Sequence, residues 1–209
     1  MLSARSISSA ISMTFSMAKG DPDWAEKHDM SAEAVFMSFW AVPLAILPHL
    51  VAAEGARRIL LEQTVVQVAP AGAVANAVAQ VITLLVSWGV ELLLITNLAQ
   101  RREIGWKISP LIIGYNWSIF ISRMAQGLGI GLFLVAGMAG MAQFATLLVA
   151  FLSVWLRWGV LRRALGTTPM GTVGVIVLLL IVSMAAAVVL SLLFQAVGLM
   201  PSTPVPAAD

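Results

Sequence analysis

Gly174 to Val197 reads GVIVLLLIVSMAAAVVLSLLFQAV and holds no charged side chain. An α-helix rises about 1.5 Å per residue, so about twenty apolar residues cross a hydrocarbon layer roughly 30 Å thick. This stretch is long enough to span. Four more apolar stretches follow the same pattern. The spans are expected at about Ala34–Ala53, Val78–Leu98, Pro110–Ala136, Ala142–Leu161 and Thr172–Val197. The fold expected is an all-α integral membrane protein with five transmembrane helices and a short N-terminal amphipathic segment. Residues 1–33 form the N-terminal segment, residues 34–197 the membrane domain and residues 198–209 a tail.

Composition agrees. Hydrophobic residues make up 60% of the chain and charged residues 11%, against about a quarter charged in an ordinary soluble domain. Too few charges remain to cover a water-facing globule. The net charge of +2 does not argue for nucleic acid, because the basic residues sit at helix ends and no recognition motif accompanies them. There is no cysteine, so disulfide and thiolate chemistry are excluded.

Within Met1–Gly20, the residues Ala4, Ile7, Ile11, Phe15 and Ala18 share one helical face. That face suits a helix lying in the headgroup plane. Asp21–Asp29 follows as an acidic linker, and Ser31 is placed to cap the first span with Glu33 in its first turn. Pro43 and Pro48 remove backbone donors from that span and predict a kink. Glu54–Ala75 is expected to form a short surface helix. The third stretch is longer than one straight crossing requires, and Gly127, Gly129 and Gly131 predict a tilt or break near its middle. Pro201–Asp209 is expected to be a disordered tail.

Lysine and arginine on alternate sides set the orientation. Three lie in the N-terminal segment, three in Arg101–Lys107 and three in the connector from Arg157, against only Arg57 and Arg58 on the other side. The positive-inside rule places the N-terminus in the cytoplasm and the C-terminus outside. In a bacterium this is the inner membrane, with the C-terminus periplasmic.

An ionisable side chain inside the bilayer costs at least a few kcal/mol, so each needs a partner or a purpose. His49, Glu91 and Arg123 are the three in question. Placed on their spans, Glu91 and Arg123 are offset by roughly 10 Å along the membrane normal. A long arginine side chain covers much of that, so an intramembrane Glu91–Arg123 ion pair is expected. Read functionally, the pair serves a proton or ion path with His49 as relay. Read structurally, it fixes helix register or each group snorkels to its nearer interface. Tyr115, Asn116 and Trp117 open the third span: asparagine bonds across helices there, and the two aromatic residues suit an interfacial anchor. Gly127-x-x-x-Gly131 permits close helix approach, within the chain or between copies. Arg157, Arg162 and Arg163 read as the end of the fourth span, with Trp155 and Trp158 in the interfacial belt.

Enzyme motifs are missing. No His-Glu-x-x-His, Gly-x-Ser-x-Gly or Walker loop occurs, and His28 and His49 are too far apart for a helical zinc pair. Asp21, Asp23, Glu26, His28 and Asp29 read as a solvated linker rather than a metal cage. No cofactor and no metal are expected, and no catalytic residue is assigned.

The segment Ala32–Glu33–Ala34–Val35–Phe36–Met37–Ser38–Phe39–Trp40, followed by a proline-containing apolar run, resembles the start of a group of uncharacterised small membrane proteins from alphaproteobacteria. Gly114–Tyr115–Asn116–Trp117–Ser118 is similar to a second element of that group. More distantly, the five-span plan resembles the Yip family. The resemblance implies a role in membrane organisation and supplies no catalytic residues. The function expected is a non-enzymatic scaffold or accessory subunit whose partners are the lipid bilayer and a membrane protein or second copy. The alternative is a small solute, ion or proton transporter or channel component using Glu91 and Arg123.

Overall fold

Ser3 accepts a hydrogen bond from the Ser6 backbone N–H, and Ser6 accepts one in return from the Ser3 N–H, so the chain turns helical almost at once. The computed structural model describes residues 3–63, 72–101 and 108–199. Seven helices run through them: α1 (Ala4–Lys19), α2 (Ala32–Ser38), α3 (Ala41–Gln63), α4 (Ala73–Arg101), α5 (Ile108–Val135), α6 (Ala139–Leu165) and α7 (Pro169–Ala196). Five stretches are long and apolar enough to cross a membrane, the first being Ala32–Ile59 across α2 and α3. The chain is a multi-pass, all-α membrane protein.

The caps follow their chemistry. Ser31 accepts from the Ala34 N–H at the start of α2. Thr168 accepts from the Gly171 N–H, and Pro169 stands in the first turn of α7, where its missing donor is harmless. Gly166 closes α6 in the left-handed conformation that glycine adopts without penalty.

The expected kink in the first span falls at Phe39–Trp40, between α2 and α3. Pro43 has no N–H to give the Phe39 carbonyl, and the Val42 N–H reaches that carbonyl instead at 3.3 Å. Pro48 stays inside α3. The helix continues past Ala53 to Gln63, so Glu54, Arg57 and Arg58 belong to it rather than to a separate surface helix. Residues 64–71 of the expected surface helix lie outside the described residues, as do Arg102, Glu103 and Lys107 and the tail from Pro201, and its last residues, Ala73–Ala75, open α4 instead.

The third span does not break. It is one continuous helix, α5, because its glycines serve close packing instead. A Cβ at Gly127 would stand 2.5 Å from the Pro48 carbonyl oxygen, and one at Gly131 would stand 3.2 Å from Val51. Gly55 on α3 answers with its own close approach to Ile130 and Leu134. The Gly127–Gly131 pair therefore joins α5 to α3 within one chain.

α5 lies at the centre, in contact with α1, α2, α3, α4 and α6, while α7 packs on α4 and α6. The N-terminal segment is helical, and its packing differs from the face expected. Met13, Thr14 and Met17 are buried against α5 and α6, whereas Ala4 is exposed and Phe15 only half-buried. Gly159 explains the fit, since a Cβ there would meet the Ala18 backbone at 2.2 Å. Beside it, Met17 packs on Gly114 of α5. Phe15 is used another way, 6.2 Å from the Trp155 ring.

Candidate functional site: an intramembrane charge cluster

Glu91, in the C-terminal half of α4, is 4% exposed and faces three other helices. Its carboxylate accepts hydrogen bonds from the Tyr115 hydroxyl of α5 and the Ser183 hydroxyl of α7. Arg157 of α6 approaches the same carboxylate at 3.4 Å. The Arg157 guanidinium also lies over the Tyr115 ring, 5.6 Å from its centre. A buried carboxylate needs its lone pairs met by donors, and three groups from three helices meet them here. This one side chain ties α4, α5, α6 and α7 together.

The expected Glu91–Arg123 pair is not formed. Arg123 instead donates to the Gln126 side-chain oxygen at 2.9 Å, and no carboxylate lies within salt-bridge distance of it among the described residues. Arg123 shares a cavity wall with Glu91 but bonds within its own helix, while Arg157 of α6 reaches the carboxylate. Sequence position alone makes Arg157 an end marker of the fourth span. Yet α6 runs on to Leu165, so Arg162 and Arg163 mark the end and Arg157 stands inside the bundle.

Arg123 borders three cavities. One, of about 370 Å³, lies between α3, α4 and α5 and includes His49, Arg57, Asn76 and Gln80. A second, of about 340 Å³, lies among α4 to α7 and includes Thr83, Ser87, Glu91 and Ser183. The third, of about 260 Å³, is lined by Ser122, Thr146, Ser153 and Arg157 among others. His49 lies in the first, away from Glu91. Its Nε2 donates to the Gln80 carbonyl at 3.3 Å, and its Nδ1 is buried with no partner among the described residues.

Tyr115, Asn116 and Trp117 are fully buried rather than interfacial. The Asn116 amide donates to Ser38 at 3.0 Å and accepts from the Trp88 indole at 2.9 Å, bonding α5 to both α2 and α4. Trp117 packs edge-on against Phe120, with ring centres 5.4 Å apart. Trp88, Ser38, Ser183 and Arg157 were missed in the sequence. Ser183 had a signal, being one of three polar residues, with Ser191 and Gln195, in the uncharged Gly174–Val197 stretch.

Outside the spans, the acidic linker is held locally. Lys27 pairs with Asp21 at 3.2 Å and Asp23 at 3.5 Å. The Asp23 N–H and the Lys27 ammonium hold the Asp21 carboxyl below its ordinary range. Burial pushes the His28 imidazole below its ordinary range. Among the described residues, no three His, Asp or Glu side chains converge to hold a metal ion.

No family model, curated protein or solved structure matches this chain.

Proposed function

We propose that this chain is a non-enzymatic protein of a bacterial inner membrane, with its N-terminus in the cytoplasm, and that its bundle carries a path for a small solute or ion. This reading takes the transport alternative over a purely scaffolding role of the Yip-like kind. The observation that carries it is Arg123, a charged side chain in the middle of a membrane helix that borders three cavities at once, each with further polar groups in its wall. A charge used only to fix helix register would be covered by a partner, as Glu91 is. Two of the three cavities, of about 370 and 340 Å³, also fall in the size range of ligand sites, about 300–1,000 Å³.

Purified protein in liposomes tests the reading. Flux of a small solute, lost in Arg123→Gln while the helical content and melting profile survive, supports it. A stoichiometric membrane-protein partner recovered in mild detergent, with no flux of ions or small organic solutes, returns the chain to the scaffold role.

A further inference from the structure

The charges inside the bundle do not balance. Glu91 supplies one negative charge, and Arg123 and Arg157 supply two positive ones around the same cavity. Glu91 is fully engaged by Tyr115, Ser183 and Arg157. Among the described residues, Arg123 has only the neutral Gln126 oxygen. Placing an uncompensated guanidinium in this environment is costly, and a bound anion offsets it.

The lining says which anion. A guanidinium presents a planar fork of donors that matches a carboxylate in two-point contact. In the cavity among α4 to α7, the Ser87 hydroxyl shares the wall with Arg123, while the Thr83 hydroxyl is spent on the Ala79 carbonyl at 2.9 Å. The rest of the wall, from Leu84, Ile119, Leu180, Met184 and Ala187, is apolar. A polar corner with a cation and an apolar remainder fits a group with a charged head and a short hydrocarbon tail. We infer that the Arg123 cavity binds a monocarboxylate with a short apolar tail, Arg123 holding the carboxylate while Glu91 positions Arg157 without touching the ligand. This deepens the solute-path reading and rests on it for physiological meaning, but the binding itself is measured separately.

The test is calorimetry on the full chain in detergent, titrated with sodium butyrate, its neutral analogue butyramide and sodium chloride. Butyrate is expected to bind saturably at one site with Kd of about 1 mM or tighter, and butyramide and chloride not to compete. Arg123→Lys keeps the charge but loses the fork and is expected to weaken butyrate about tenfold. Arg123→Gln is expected to abolish binding, and Arg123→Lys carries the comparison if the glutamine variant fails to fold. Competition by palmitate supplied in the micelle supports a lipid-derived carboxylate, and its absence supports one taken from water. Equal affinity for butyrate and butyramide, no saturable butyrate binding by the native chain, or unchanged binding in Arg123→Lys overturns the inference. Butyrate binding without flux overturns the transport reading and leaves this site standing, whereas flux without butyrate binding does the reverse.

Discussion

Glu91 of α4 and Arg157 of α6, sixty-six residues apart in the chain, meet at 3.4 Å inside the bundle. Their side chains are only 6% and 22% exposed, so the pair is shielded from the screening that makes surface pairs weak. Breaking a buried pair by removing one partner leaves the other charge uncompensated, typically at about 3–5 kcal/mol. Glu91→Gln is expected to lower stability by an amount in that range, and the double change with Arg157→Gln to recover part of it. Thermal unfolding in detergent measures both. A matching cycle between Glu91 and Arg123 is expected to show coupling well below that of Glu91 with Arg157.

Tyr115→Phe removes one of the three donors to Glu91 with little change of shape. Leaving a buried acceptor short of a donor costs about 1–3 kcal/mol. The same substitution leaves the ring under Arg157 in place, so the loss reports the hydroxyl. A melting profile unchanged from the native protein would sink this assignment.

Gly127 and Gly89 make a contrast. A Cβ at Gly127 collides with the Pro48 backbone, which cannot move aside as a side-chain tip can. Gly127→Ala is expected to destabilise by about 1–3 kcal/mol or more as α5 is pushed from α3. At Gly89 on α4 nothing lies within 4 Å of the added atom. Gly89→Ala is expected to be neutral or stabilising by up to about 1 kcal/mol.

Gly159→Val tests how α1 is held. The added side chain would occupy the place of the Ala18 backbone, so α1 is expected to detach while the five spanning helices persist. Trypsin cleavage at Lys19 and Lys27 should quicken several-fold over the rate in the native protein. Cleavage at the native rate would mean that the contact does not hold α1.

The linker below α1 should respond to pH. Burial depresses the folded-state pKa of His28, and the Asp23 N–H and Lys27 depress that of Asp21. For both groups the deprotonated form is favoured in the folded protein, so their contribution is present above the unfolded pKa and lost as pH falls. His28 acts first, as pH drops below about 6.5, and Asp21 only below about 4. Cleavage in the linker should therefore rise between pH 7 and pH 5 in the native protein and stay flatter in His28→Gln.

Membrane class, the number of spans and the Ser31 cap were legible in the chain because each rests on local properties. Apolar runs of membrane length and a serine before a helix act within a few residues of themselves. The charged candidates Glu91, Arg123 and His49 were legible too, since any ionisable group inside such a run stands out. Who pairs with whom was not. Arg123 and Arg157 both lie within reach of the Glu91 level along the membrane normal, and only the rotation of α5 and α6 about their axes decides between them. The burial of Tyr115 and Trp117 was hidden for a related reason. An aromatic residue near a helix end reads as an interfacial anchor until α4 and α6 are seen against Tyr115, and α1 and α2 beside Trp117.

The sequence by itself therefore determined that this is a multi-pass helical membrane protein with a few costly charges in its spans, because lipid selects for apolar length and hydropathy is additive along the chain. Only the tertiary structure decided that Glu91 is consumed by Arg157, Tyr115 and Ser183 and that Arg123 is left facing cavities. Pairing depends on helix rotation and neighbour order, which are set by long-range fits such as Gly127 on Pro48 and Gly159 on Ala18.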